Sequence, residues 1–138
     1  MFKFILSIAI FLYKLTNGAI GGSMQGLPVL LLTTTGRKSG QPRTVPLGFL
    51  RDGSNYVIIA SNGGRPRYPG WFFNLKSQPE ATIQVKNAQI KVRAEQANPE
   101  KRRELWTRLL AISPGYGNYE KRTTREISVM ILTPINNG

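Results

Sequence analysis

The sequence predicts a single small domain of mainly β, α+β character: a closed or split barrel of about six antiparallel strands with three or four short helices. Three observations lead there. The 138 residues suffice for one core and not two. Fourteen glycines and nine prolines fall at intervals between short apolar runs. The pair Asp52-Gly53 is flanked by two sheet-like arms, the signature of a tight hairpin.

Taken in order, residues 3–15 read as a helix. Its stretch Phe4 to Leu12 is apolar apart from Ser7 and follows Lys3, with no small-residue cleavage pattern behind it. About 20 apolar residues are needed to span a bilayer, so this helix packs on the domain, lies on a membrane surface, or does both. We divide the chain accordingly into a helix at 1–17 and a barrel domain at 18–138. Gly18, Gly21, Gly22 and Gly26 make a loop, and Pro28 to Thr35 is an apolar run suited to a central strand buried on both faces. Residues 43–51 and 54–60 form the hairpin around Asp52-Gly53, with Val57, Ile58 and Ile59 in its second arm. Residues 81–86 and 89–96 form another, turning at Lys86-Asn87-Ala88; Ile83 and Val85 alternate with Thr82, Gln84 and Lys86, as in a half-buried strand. Asn98-Pro99 starts a helix, because Asn caps and Pro takes the first helical position. Leu105, Trp106, Leu109 and Leu110 line its apolar face, while Lys101, Arg102, Arg103 and Arg108 read as a solvated one. Ile127 to Leu132 closes the sheet, and no internal repeat is present.

Composition narrows the chemistry. There is no histidine and no cysteine, which excludes Ser-His triads, thiol nucleophiles, His-based metal sites and disulfides. The seven carboxylates are scattered, apart from Glu100 and Glu104 on one helix face, so a carboxylate dyad or an all-oxygen metal cage is not expected. An enzyme built this way must draw its difficult chemistry from a bound organic cofactor. The net charge of +12 points to an anionic partner.

That charge is concentrated in Gly36-Arg37-Lys38-Ser39-Gly40-Gln41-Pro42-Arg43, between the buried strand and the next one. Two glycines allow a tight turn with backbone N–H groups aimed at one point; three cations and a hydroxyl surround it. It is neither a Walker loop nor a dinucleotide fingerprint. A solvated hairpin tip would look the same. What lifts it is company. Ser61-Asn62-Gly63-Gly64 makes a loop at a strand end, and residues 69–75 read as a short helix bearing Trp71 and Asn74 on one face. An indole beside a carboxamide suits a flat heterocycle, whereas Phe72 and Leu75 read as core.

The strings LPVLLLTTTGRKSGQPRTVPLGFLRDG, IASNGGRPRYPGWFFNLKSQP and SPGYGNY closely resemble the deazaflavin-dependent nitroreductase and F-420-dependent quinone reductase family, over about residues 10 to 134. The resemblance implies a split β-barrel related to the FMN-binding pyridoxamine-phosphate-oxidase-like fold. It implies coenzyme F-420 as cofactor, its phosphate and glutamate tail contacting Arg37, Lys38, Ser39 and Arg43. Residues beside the deazaflavin ring fall on Pro46, Ser61, Asn62, Gly63, Trp71 and Asn74, and substrate-side tyrosines on Tyr116 and Tyr119. The family's nitroimidazole-activating members carry one more tyrosine, three residues earlier, where this chain has Ser113. That departure weighs against bulky bicyclic nitroimidazoles.

The expected activity is hydride transfer from reduced F-420 to a small organic acceptor: a quinone, a nitroaromatic or an activated enone. With no histidine, the acceptor's proton comes from a Tyr or Ser hydroxyl or from water; Tyr116, Tyr119 and Ser61 are the candidates. The expected setting is the cytoplasm, with peripheral contact to the inner face of the cell membrane through the first helix, a homodimer, no metal and no nucleic acid. Two alternatives stand beside this. One is an FMN-dependent oxidoreductase on the same barrel. The other is a non-catalytic module binding an anionic ligand; its aromatics are clustered on one helix instead of spread along strands, which argues against a single-strand stacking platform.

Overall fold

The run Leu27–Thr35 forms a nine-residue strand because its alternate residues find apolar partners on both sides. In the computed structural model, which describes residues 2–15, 23–24, 26–61, 68–122 and 126–135, the elements follow the order α1 (Phe2–Leu15), β1 (Ser23–Met24), β2 (Leu27–Thr35), β3 (Pro42–Gly48), β4 (Leu50–Asp52), β5 (Asn55–Ile59), α2 (Gly70–Ser77), β6 (Glu80–Val85), β7 (Ala88–Gln96), α3 (Pro99–Ile112), α4 (Tyr116–Arg122) and β8 (Val129–Pro134). The glycine loop expected at 18–22 lies outside the described residues.

All strand pairs are antiparallel, and the sheet runs β1-β2-β6-β7-β8-β5-β4 with β3 on the other side of β2. Eight strands therefore stand where about six were expected. The difference comes from two short pieces, β1 and β4. The arm expected at 43–51 divides at Phe49, whose N–H makes the last bond of the β2–β3 ladder, to the Pro28 carbonyl at 2.9 Å; Pro28 has no N–H to return. Beyond that break β4 pairs with β5. One chain segment thus serves two ladders, as strands do at the corners of small barrels. Gly53 supplies the positive φ of 60° that the β4–β5 turn demands.

Curling divides the apolar residues into separate cores. Leu30 and Leu32 face inward with Ile58, Ile83, Val92, Met130 and Leu132, and α2 closes this core with Trp71, Phe72 and Leu75. On the far side α3 and α4 bury Leu105, Trp106, Leu109 and Tyr116 against Leu27, Leu50, Val57 and Val129. α3 starts as expected, with the Asn98 side chain accepting from the Lys101 N–H at 2.8 Å.

The other face of β2 is covered by α1, where Tyr13 and Ile10 pack on Val29 and Leu31. The Tyr13 hydroxyl is a bolt. It donates to the Val29 carbonyl at 2.8 Å and accepts from the Lys86 N–H at 2.8 Å. Lys86 sits at φ 56°, a left-handed conformation costly for a side-chain-bearing residue, at the two-residue turn joining β6 to β7. Removing the hydroxyl would leave buried backbone groups unpaired, at a cost of about 1–3 kcal/mol. The opposite side of α1 is bare, with Ile8, Phe11 and Leu15 44%, 62% and 66% exposed.

Candidate active site

The turn between β2 and β3 is held shut from within. Gly36 N–H donates to the Gln41 carbonyl at 2.8 Å, Gly40 N–H to the Gly36 carbonyl at 2.8 Å, and Gln41 N–H to the Ser39 hydroxyl at 3.1 Å. A Cβ on Gly36 would lie 2.7 Å from the Ser39 oxygen, and Gly40 adopts φ +72°, so both positions need glycine. This corrects one expectation. The amides of residues 36, 37, 40 and 41 are bonded inside the protein and are not turned toward a common outside point.

Arg37, Lys38, Ser39 and Arg43 are exposed, and among the described residues neither arginine nor the lysine has a carboxylate partner. Ser39 accepts from Gln41 N–H and, at 3.5 Å, from Arg43 Nη2, which leaves its own proton to donate outward. Arg37 is braced twice. Its N–H and Nη1 donate to Asn74 Oδ1 at 3.1 and 3.3 Å, and its guanidinium lies 5.0 Å from the Phe73 ring centroid.

Asn74 is buried in α2, and its Nδ2 donates to the Thr34 hydroxyl at 3.0 Å. A relay thus runs from β2 through α2 into the turn. With both lone pairs of Oδ1 and one amide proton engaged, Asn74 retains a single proton for any ligand. Sequence reasoning passed over Thr34 and Phe73. A signal for Thr34 existed: it shares the inward register of Leu30 and Leu32, where a hydroxyl must find a partner. Nothing local distinguished Phe73 from its aromatic neighbours.

The remaining candidates divide between faces. Trp71 is 7% exposed and belongs to the first core, as do Phe72 and Leu75. Tyr68, also unremarked in the sequence, stacks on Phe72 at 4.4 Å and donates to the Glu126 carbonyl. Ser61 is nearly buried just after β5, where Ala60 N–H is tied to the Ser128 carbonyl at 2.9 Å. Asn62, Gly63, Arg65 and Arg67 lie outside the described residues. Pro46 pairs with Leu31 and alternates with the inward Val45 and Leu47, so it faces away from Trp71.

Tyr116 is 7% exposed and meets Tyr119 edge-to-face at 5.3 Å. A Cβ on Gly48 would sit 3.7 Å from the Tyr116 hydroxyl, which places that phenol at the end of β3, on the same strand face as Pro46. Burial, with a smaller contribution from Tyr119, raises the Tyr116 pKa above that of an ordinary phenol. It is therefore protonated throughout the physiological range and suited to donating a hydrogen bond more than a proton.

β3 links these groups. It pairs with β2 alone among the described strands, so its other edge is a seam in the barrel. Its seven residues span about 20 Å, with the basic turn at one end and Tyr116 at the other. The site is a long open edge that is cationic at its start and aromatic at its finish.

The fold is that of a split-barrel protein. At the level of fold alone it is similar to a pyridoxamine 5'-phosphate oxidase-like protein of Listeria innocua (TM-score 0.55, 12% identity, covering 78% of this chain and 84% of that one). The chain belongs to the F-420H(2)-dependent quinone reductase family, whose profile matches residues 7–134. It is 44% identical over 126 residues to an F-420H(2)-dependent quinone reductase of Mycobacterium tuberculosis, covering 88% of this chain and 85% of that protein. Among solved structures it is similar to an F-420-H2 dependent reductase (TM-score 0.70, 36% identity, covering 76% and 93% of the two chains). It also resembles a domain-swapped dimer (TM-score 0.72, 30% identity, covering 94% and 97%). The protein is an oxidoreductase that uses coenzyme F-420, and the FMN alternative is not favoured.

Proposed function

We propose that the protein reduces a quinone, with the extended cofactor lying along the open edge of β3. The observation that carries this reading is the set of three exposed cations at 37, 38 and 43, unpaired by carboxylates among the described residues, at the head of a strand edge with no partner among the described strands. When bound, reduced F-420 supplies the hydride for the acceptor. Arg37, Lys38, Arg43 and the free proton of Ser39 hold the phosphate and glutamates. Asn74 sets the Arg37 guanidinium in place, and its remaining amide proton reaches toward the ring. Trp71 and Ser61 border the ring; the family resemblance adds Asn62 and Gly63 to that side, while Pro46, on the opposite strand face from Trp71, stays outside that pocket. Ser61 donates to the acceptor oxygen as charge develops there, and Tyr116 and Tyr119 wall the acceptor off from water at the far end of β3. Titration of F-420 and FMN, followed by fluorescence and absorbance, tests the reading. F-420 binding that weakens steeply with salt is expected; a preference for FMN, or indifference to both, overturns it.

The bare stripe of Ile8, Phe11 and Leu15 supports a second element of the proposal. Spaced three and four residues apart, they form one helical face, and no described helix is long and apolar enough to cross a bilayer. We place this face in the interface of an anionic cytoplasmic leaflet, where a lipid-soluble quinone is within reach of a barrel of opposite charge. Flotation with anionic and neutral vesicles checks it. Recovery with anionic vesicles alone, lost in Phe11→Ser, is the expected result. The likeness to a domain-swapped dimer supports a homodimer, which sedimentation analysis would reveal.

A further inference from the structure

The inward face of β2 carries Leu30 and Leu32 and then, in the same register, Thr34, which is 2% exposed. Valine has nearly the same shape and suits a buried strand equally well, so packing gives no reason for a hydroxyl here. The hydroxyl meets α2 instead, accepting from Asn74 Nδ2 at 3.0 Å. Asn74 is itself 6% exposed and stands inside a helix, where asparagine is a poor choice on propensity. Each polar group would be out of place in the interior without the other.

Chemistry fixes which way the amide faces. The Arg37 backbone N–H and its guanidinium can only donate, and both point at one atom of the Asn74 amide, at 3.1 and 3.3 Å. That atom must be the oxygen. Nδ2 is therefore turned into the protein, where it needs an acceptor, and Thr34 supplies it. With valine at 34, Nδ2 would lie buried beside a methyl group, and the amide would gain by turning away. Arg37 would then lose the oxygen that holds both its backbone and its side chain. Phe73, next to Asn74 in α2, lies 5.0 Å from the guanidinium and attracts its charge without fixing its donors. Thr34 is also the register partner of Arg43, which places it at the base of the turn that carries both arginines.

We infer that Thr34 is a positioning residue for the anionic part of the cofactor: its hydroxyl fixes the Asn74 amide, and the amide presets the Arg37 guanidinium before the ligand arrives. Thr34 acts through Asn74 and not by contact with the ligand. A long side chain ordered in advance loses less freedom on binding, and the difference appears as affinity. The inference rests on the reading of the basic turn as the holder of the phosphate and glutamates.

F-420 titrations followed by fluorescence, in single and double variants, test it. Thr34→Val is expected to weaken binding about 3- to 10-fold, the scale of ordering one such side chain. Thr34→Ser keeps the hydroxyl and loses a methyl group, so it should bind as the wild type does even though its melting temperature falls. In an Arg37→Ala background Thr34→Val should have no further effect, whereas in a Lys38→Ala background the two losses should multiply. Wild-type affinity in Thr34→Val, an affinity loss in Thr34→Ser that follows its melting temperature, or a full Thr34→Val loss in the Arg37→Ala background overturns the inference. Wild-type affinity in Arg37→Ala alone overturns the reading of the basic turn, and the inference with it.

Discussion

Two cation-rich regions, the turn between β2 and β3 and the helix α3, differ in what surrounds their charges. In α3 the charges are absorbed by the fold. Lys101 lies 3.1 Å from Asp52 and 3.3 Å from Glu104, Arg108 bonds Asp52 at 2.9 Å and the Arg51 carbonyl at 2.7 Å, and Arg102 bonds the Ile127 carbonyl at 2.9 Å. Arg102 also covers the Trp106 ring. Of the row expected to be a solvated face, Arg103 is exposed as expected, while Lys101, Arg102 and Arg108 form a clamp joining α3 to the β4–β5 hairpin and to the segment before β8. In the turn, the braces on the cations are neutral: Asn74 and the Phe73 ring orient Arg37, and the Ser39 hydroxyl accepts from Arg43, none of them cancelling charge. Charge balance, more than charge density, separates a structural cluster from a binding one.

Breaking the binding side should have the largest effect. The double variant Arg37→Ala/Arg43→Ala is expected to weaken F-420 binding about 100-fold, since charge-assisted hydrogen bonds contribute about 1.5–3 kcal/mol each. Lys38→Ala, the loss of a mobile point charge, should cost less and reduce the salt dependence of binding. Equilibrium titration across ionic strengths checks both; an unaltered salt response would remove Lys38 from the site.

An intermediate effect is expected on the acceptor's side. Ser61→Ala and Tyr119→Phe should each lower turnover about 10-fold while leaving F-420 affinity within about 2-fold, as expected for a donor to the acceptor and for a residue that shields it from water. Steady-state kinetics paired with cofactor titration separates the two quantities. Affinity loss at constant turnover would move these residues to the cofactor side.

The structural clamp should yield the smallest effect, and one with no trace in cofactor binding. Hydrogen bonding from Lys101, opposed by desolvation and assisted by Arg108, holds the Asp52 carboxyl below the usual range. A depressed folded-state pKa contributes stability above the unfolded value near ~3.9 and loses it as pH falls through the folded one. Lys101 is raised, chiefly by its hydrogen bond to Asp52, so its contribution is present below ~10.4 and fades at more alkaline pH. Asp52→Asn should lower the thermal midpoint near neutrality by about 2–4 °C and remove this acid-side loss. Thermal melts at pH 3, 5 and 7 measure it. A change in F-420 affinity in this variant would contradict the division between the two regions.

Local chemistry made much of the fold legible. The Asn98-Pro99 start, the Asp52-Gly53 turn, the hairpin at 81–96 and the two-sided burial of β2 all follow from neighbours along the chain, whose capping, turn and alternation preferences act over a few residues. The break at Phe49, the short strand β1 and the helix α4 were not legible, because each depends on which distant strand or helix the segment meets.

The basic turn was equally plain in the sequence, yet its working parts were not. Residues 36–43 announce cations and glycines; they do not show that the amides are spent internally or that Asn74 reaches across from α2. The sequence by itself determined which chemistry is available: no histidine, no cysteine, an excess of cations and a pattern of strands with one cation-rich turn. Only the tertiary structure decided which cations remain unneutralised. Ion pairs such as Arg108 with Asp52 and braces such as Asn74 with Arg37 join residues 56 and 37 positions apart, and such pairings exist only once the sheet has curled.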